Sequence, residues 1–134
     1  RPLDLVVIML GTNDLKVEFG LTVEDISQGV KTLCEMVLNS DYLTDNRPQI
    51  LLVSPTQIGS TIMPEQKEFF DKARKQSFQF AEYYEKVALD LGIHFLDAAK
   101  IVSPSKGEGV HWDADQHIKF GKELKLVIEN IFLK

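Results

Sequence analysis

The first apolar run of the chain constrains its fold more than any other stretch. Residues 5–10 are six consecutive apolar residues, half of them β-branched, and the turn residues Gly11 to Asp14 follow directly. A run this short, apolar on both faces and closed by turn residues, is typical of a buried strand in a parallel sheet. In open α/β sheets, ligands bind just beyond the carboxyl ends of the strands. The sequence therefore predicts a site at Gly11 to Asp14, although Asn13 and Asp14 could serve only as turn residues.

After this strand the chain alternates between helices and strands. Apolar periodicity predicts strands over residues 49–55 and 93–97 and helices over 22–39, 64–91 and 113–131. Thr22 with Asp25 and Asp113 with Gln116 are predicted capping boxes at two of the helix starts. Polar residues 41–48 form a connection. Crossovers of this length favour parallel strands with right-handed connections. The predicted fold is therefore a three-layer α/β/α sandwich with a parallel, flavodoxin-like sheet, three strands and three main helices.

The helix predicted over 64–91 carries an aromatic stripe. Its inner face includes Phe69, Phe70, Phe80 and Tyr84 at helical spacing. Such a stripe is far more often core than part of a cofactor site, so we assign these side chains to the core.

Composition and charge exclude several classes of function. The 134 residues suit one domain, and the formal net charge of −5 argues against a nucleic-acid partner. No apolar run approaches the roughly 20 residues of a membrane span, so no membrane partner is expected. Cys34 is the only cysteine, which suits a reducing compartment, and we expect a cytoplasmic location. His94, His111 and His117 lack a recognised zinc spacing, so neither a metal nor another cofactor is predicted.

A second motif, Glu-Gly-Val-His at residues 108–111, precedes the last helix. A carboxylate three residues before a histidine, in a loop with glycine, can fold back and accept a hydrogen bond from one imidazole nitrogen. That contact fixes the tautomer and leaves the other nitrogen as a general base for a hydroxyl. The motif alone is weakly specific, because a loop histidine is often only a solvated surface residue.

Together the two motifs resemble those of the SGNH (GDSL-type) hydrolases. That family has a Gly-x-Asn-Asp block and, later, an Asp-x-x-His block, and residues 11–14 and 108–111 occur in the same order here. Residues 10–16, Leu-Gly-Thr-Asn-Asp-Leu-Lys, are most similar to the arylesterase and acyltransferase branch. Residues 112–117 also look like the stretch that follows the catalytic histidine in that family.

The resemblance implies roles for five residues. Asn13 matches the asparagine of the oxyanion hole, whose side-chain amide donates to the developing oxyanion. His111 matches the general base, and Glu108 stands at the position of the triad acid. Gly11 and Thr12 would contribute to the substrate site.

The sequence departs from the family pattern in two respects. Glu108 stands where the family has aspartate, and the Gly-Asp-Ser block with the nucleophile is not among residues 1–134. Ser54, Ser103 and Ser105 lack the surroundings of a nucleophile elbow. We therefore expect residues 1–134 to be the C-terminal part of a single SGNH hydrolase-like domain, inactive alone.

Two hypotheses about function remain open. The first is the C-terminal part of a serine esterase that acts on small acyl esters by Ser-His-acid catalysis, with Asn13 as oxyanion donor. The second is a non-catalytic flavodoxin-like binding or scaffold module, in which Asn13 and His111 are incidental. In the first case the edge of the opening strand would pair with the N-terminal segment or with another chain, such as a second copy in a homo-oligomer.

Overall fold

The computed structural model describes residues 3–40, 47–70 and 72–133. Three strands form its sheet: β1 (Leu5–Ile8), β2 (Gln49–Ser54) and β3 (His94–Asp97). The described residues also form five α-helices: α1 (Val23–Leu38), α2 (Pro64–Phe70), α3 (Ala73–Ser77), α4 (Phe80–Leu91) and α5 (Ala114–Phe132). Most of the connection predicted over 41–48 lies outside the described residues. No described helix is long and apolar enough to cross a membrane.

The three strands lie in the order β1-β2-β3, and both pairs are parallel. Successive side chains of β2 point to opposite faces of the sheet, so each face has its own core. Ile50 and Leu52 pack against α1 and α4, whereas Leu51 and Val53 pack against α5. All four side chains are almost completely buried. The predicted three-layer α/β/α fold is therefore confirmed.

Strand β1 is less buried than the sequence predicts. Ile8 is buried, but Val7 on the opposite face is 39% exposed. The reason is the position of β1 at the end of the sheet, where its outer edge has no strand partner among the described residues. The core beside α5 is centred on β2 and includes Leu5 but not Val7.

The prediction of one continuous helix over 64–91 is wrong. The helical stretch begins at Pro64 and ends at Leu91 as predicted, but it is divided into α2, α3 and α4. The break after Ser77 has a physical cause: the Ser77 hydroxyl donates to the Arg74 carbonyl at 2.7 Å and accepts from the Ile58 N–H at 2.9 Å. A serine that bonds to nearby backbone competes with the helical hydrogen bonds.

The two predicted capping boxes have different outcomes. At the start of α1, the Asp25 N–H donates to Thr22 Oγ1 at 3.1 Å and the Thr22 N–H donates to Asp25 Oδ2 at 2.9 Å, as predicted. At α5, Asp113 takes the N-cap position, but its side chain receives no capping bond from the described residues. The Gln116 side-chain oxygen accepts instead from the Ser103 N–H at 3.1 Å.

Candidate active site

A cavity of about 270 Å³ opens at the carboxyl ends of β1 and β2. Both sequence motifs contribute to it, although their first residues, Gly11 and Glu108, lie 97 positions apart in the sequence. The loop after β1 and the loop before α5 meet here because all three strands run in the same direction. The residues that line the cavity are Met9, Leu10, Gly11, Thr12, Asn13, Asp14, Pro55, Thr56, Val110, His111, Trp112 and His117.

The Gly-Thr-Asn-Asp segment forms a tight turn directly after β1. The Asp14 N–H donates to the Gly11 carbonyl at 3.1 Å, and the Leu15 N–H donates to the Thr12 carbonyl at 3.2 Å. Asn13 begins a single 3₁₀ turn that ends at buried Leu15. Leu15 therefore anchors one end of the turn in the core, while the exposed Asn13 lies at the cavity.

Glu108 and His111 form the predicted contact. His111 Nδ1 lies 2.8 Å from Glu108 Oε1, and the His111 side chain is 73% exposed while that of Glu108 is 21% exposed. An ionised carboxylate can only accept a hydrogen bond, so this contact favours the tautomer with the proton on Nδ1 and leaves a free lone pair on Nε2. The arrangement therefore provides a base that is oriented by an acid and remains accessible at the cavity.

The Glu108 carboxyl is ionised more readily than an ordinary glutamate. Partial burial alone would raise its pKa, but hydrogen bonds from the backbone N–H groups of His111 and Val110 and from the His111 ring outweigh this effect. The net result is a pKa below the usual range. A carboxylate that stays charged is the form that can orient an imidazole and stabilise its protonated state.

The loop that carries this pair is fixed by backbone hydrogen bonds to the segment after β2. The Gly59 N–H donates to the Gly109 carbonyl at 2.7 Å, and the Met63 N–H donates to the Glu108 carbonyl at 3.3 Å. Gly109 has a φ of +88°, and a Cβ there would collide with the carbonyl of Thr61. A glycine at this position is thus required by both conformation and space.

Two side chains that the sequence did not single out as site residues also fix the loop. Trp112 follows His111 directly, and its Nε1–H donates to Thr56 Oγ1 at 2.9 Å. The indole packs against the rings of His117 and Phe120, with centroid distances of 5.3 and 5.0 Å. The position of Thr56 after a strand end was a usable signal, but nothing in the sequence indicated its pairing with Trp112.

None of the serines in the described part of the chain lines this cavity. Ser54 is completely buried, and its hydroxyl donates to Asp97 Oδ1 at 3.1 Å. The backbone N–H of Ser105 donates to the His111 carbonyl at 2.7 Å, and the Ser105 hydroxyl accepts from the Gly107 N–H. Within residues 3–40, 47–70 and 72–133, no group of three or more His, Cys, Asp or Glu side chains could hold a metal ion.

The model of the GDSL-like lipase/acylhydrolase family matches residues 1–123. The chain therefore belongs to this family, and the resemblance read from the two motifs is confirmed. No curated protein is significantly similar to the chain.

Solved structures of esterases share this fold. Est24, a carbohydrate acetylesterase from Sinorhizobium meliloti, is 28% identical with a TM-score of 0.92, and the match covers 98% of this chain and 62% of that one. An inhibitor-bound aryl esterase from M. smegmatis is 31% identical with a TM-score of 0.90, and the match covers 96% and 61% respectively. The chain thus spans about three fifths of the length of these structures.

Proposed function

We propose that this chain supplies the base, the orienting acid and one oxyanion donor of a serine esterase that acts on small acyl esters. The observation that carries the proposal is the 2.8 Å contact between Glu108 and His111 at the same cavity as Asn13. A base held by an acid and an amide donor at one cavity are the parts that acyl transfer needs besides a nucleophile.

The nucleophile, in this proposal, is a serine from a part of the enzyme outside residues 1–134. Its hydroxyl gives its proton to His111 Nε2 while its oxygen attacks the ester carbonyl carbon. The Asn13 side-chain amide donates to the oxyanion that forms. As the tetrahedral intermediate collapses, the imidazolium returns the proton to the leaving alcohol and the acyl group remains on the serine. A water molecule then attacks this acyl-serine by the same two steps, which releases the carboxylic acid product and restores the serine hydroxyl.

The cavity supports a substrate with a short acyl group. Its apolar lining, which includes Met9, Leu10 and Trp112, suits a small hydrocarbon better than a charged group. The names of the similar structures, a carbohydrate acetylesterase and an aryl esterase, are consistent with such substrates.

The test is hydrolysis of p-nitrophenyl acetate near neutral pH, by this chain alone and by the longer protein that also contains the serine. We expect no activity from the chain alone above that of its His111→Ala variant. In the longer protein, His111→Ala should lower kcat by several orders of magnitude, because the serine loses the group that takes its proton.

The matched control is His94→Ala. His94 begins β3 at the opposite end of the sheet, where its Nε2 lies 3.2 Å from Gln49 Oε1, and its loss should leave kcat unchanged. Full activity in the His111→Ala variant would reject His111 as the base of the esterase. A longer wild-type protein that hydrolyses no ester would favour the alternative, a non-catalytic flavodoxin-like binding or scaffold module.

A further inference from the structure

One buried polar group near the site has no place in the proposed mechanism. Tyr84 on α4 is completely buried, and its hydroxyl donates to the Leu10 carbonyl at 2.7 Å. Leu10 is the last residue before the Gly-Thr-Asn-Asp turn, and Tyr84 lies 74 positions further along the chain. The hydrogen bond therefore connects helix α4 to the residue at which the chain leaves β1 and enters the candidate active site.

The residue after Leu10 fits closely against the same hydroxyl. Gly11 has a φ of +127°, and a Cβ on it would collide with the Tyr84 hydroxyl and lie 3.2 and 3.3 Å from atoms of Phe80 and Ile26. The carbonyl of Leu10 and the N–H of Gly11 belong to one rigid peptide plane. The Tyr84 hydroxyl thus lies against both Leu10 and Gly11, and it fixes the orientation of the peptide plane that they share.

The orientation of this plane affects Asn13 through the turn. The carbonyl of Gly11, two bonds beyond the fixed plane, accepts the Asp14 N–H at 3.1 Å. The carbonyl of Asn13 itself accepts the Lys16 N–H at 3.2 Å. A rotation of the Leu10–Gly11 peptide would therefore change the turn that sets the position of the Asn13 side chain.

We propose that Tyr84 is a positioning residue of the esterase site, and that its hydroxyl holds the turn so that the Asn13 amide is aimed at the oxyanion. This inference rests on the proposed function. It assigns Tyr84 no contact with the substrate. Its effect on the rate passes entirely through Asn13.

The state of the hydroxyl suits this role. Burial, with the nearby charge of Asp14, raises the pKa of Tyr84 well above its ordinary value. The hydroxyl is therefore a donor throughout the pH range of an esterase assay. A buried hydroxyl without a partner would destabilise the fold, and phenylalanine would fill the same core position without that cost.

The experiment is a double-mutant cycle in the longer, serine-containing protein, with Tyr84→Phe, Asn13→Ala and both together. Tyr84→Phe keeps the ring and removes only the hydroxyl. We expect it to lower kcat roughly 10- to 100-fold with little change in KM, because small misplacements of a catalytic group have effects of that size. In the Asn13→Ala background, the same substitution should have almost no further effect on kcat.

Tyr83→Phe is the matched control. Tyr83 is the preceding residue on α4, and its ring contacts Lys86 on the surface, so its variant should keep full kcat. Thermal unfolding of each variant identifies the temperature at which all are folded, and kcat is compared there. A merely structural Tyr84 would lower the unfolding temperature but leave kcat of the folded protein unchanged.

The outcomes separate this inference from the proposed function. If Asn13→Ala lowers kcat while Tyr84→Phe does not, or if the two effects simply multiply, the positioning role is rejected and the esterase proposal stands. If Asn13→Ala has no effect, the oxyanion role of Asn13 fails, and the inference about Tyr84 fails with it.

Discussion

The two oxygens of the Glu108 carboxylate divide their hydrogen bonds between the ring and the backbone of His111. Oε1 lies 2.8 Å from Nδ1, whereas Oε2 accepts the His111 N–H at 2.6 Å and the Val110 N–H at 2.9 Å. One side chain therefore fixes both the direction of the imidazole and the path of the chain that carries it. The conformation of the loop therefore depends on a glutamate at this position, where the family pattern has aspartate, because both oxygens of the longer side chain have partners in the loop.

The first prediction concerns the length and charge of this acid. Glu108→Gln keeps the shape but replaces one acceptor oxygen with an amide, and Glu108→Asp shortens the arm by one methylene. In the longer protein we expect both to lower kcat, with Glu108→Gln lying between wild type and His111→Ala. Glu68→Gln, on the exposed surface of α2, is the control and should leave kcat unchanged. A Glu108→Gln variant with wild-type kcat would remove Glu108 from the triad.

The second prediction concerns acid stability. Folding lowers the pKa of Glu108, so this group stabilises the folded chain above the ordinary glutamate pKa. The stabilisation is lost as the pH falls through the lowered, folded-state pKa. We expect the difference in unfolding free energy between wild type and Glu108→Gln, measured with urea, to shrink as the pH falls from about 6 to about 3. A difference that stays constant over this range would contradict the stated shift.

The third prediction concerns the proposed oxyanion donor, Asn13. Asn13→Ala in the longer protein should lower kcat roughly 100- to 1,000-fold with a small change in KM, as removal of single donors does in other enzymes. Asn39→Ala, at the exposed end of α1, removes an asparagine far from the cavity and should change neither constant. A large rise in KM with unchanged kcat would mean that Asn13 binds substrate without stabilising the oxyanion.

The fourth prediction concerns the bond between Trp112 and Thr56. Thr56→Val keeps the shape of a buried side chain and leaves the indole N–H without its acceptor, which should cost about 1 to 3 kcal/mol of unfolding free energy. In a protein that already carries Trp112→Phe, Thr56→Val should cost much less, because the indole donor is then absent as well. Unfolding free energies of the two single variants and the double variant test this coupling. Additive effects would show that the bond contributes nothing.

The fifth prediction concerns the outer edge of β1. That edge lacks a strand partner within the described residues, and Leu3, Val7 and Leu10 beside it are 57%, 39% and 54% exposed. We expect this chain, expressed alone, to self-associate in light-scattering measurements, and Val7→Lys to reduce the association. Val17→Lys, at a valine that is 47% exposed away from β1, is the control and should not. A wild-type chain that stays monomeric at high concentration would contradict the expectation.

The sequence predicted local structure correctly where all the residues responsible for a feature lie within one short segment. The run over residues 5–10 indicated a strand, the Thr22–Asp25 pair indicated a helix start, and Glu108 with His111 indicated a contact. Each of these depends on residues a few positions apart. The arrangement of Gly11 to Asp14 and of His111 around one cavity followed from the rule that parallel strands end at the same edge of a sheet.

Contacts between distant segments could not be predicted in this way. Tyr84 was recognised as core from its spacing, but its hydrogen bond to Leu10 depends on how α4 packs against β1. The break after Ser77 likewise depends on the Ile58 N–H, which reaches Ser77 only in the folded chain. The exposure of Val7 depends on which strands lie beside β1, and the apolar sequence of a strand does not specify its neighbours.

Gly11 to Asn13 follow β1, whose outer edge has no strand partner among the described residues, and this has a practical consequence. If the proposed function holds, a separate polypeptide that carried the serine and paired with β1 would bring a nucleophile to His111 and Asn13 without any peptide bond between the two pieces. Hydrolysis of a chromogenic ester would then report that the two pieces had associated. Fused to two other proteins, such halves would make a split-enzyme reporter in which colour develops only when the fused proteins meet.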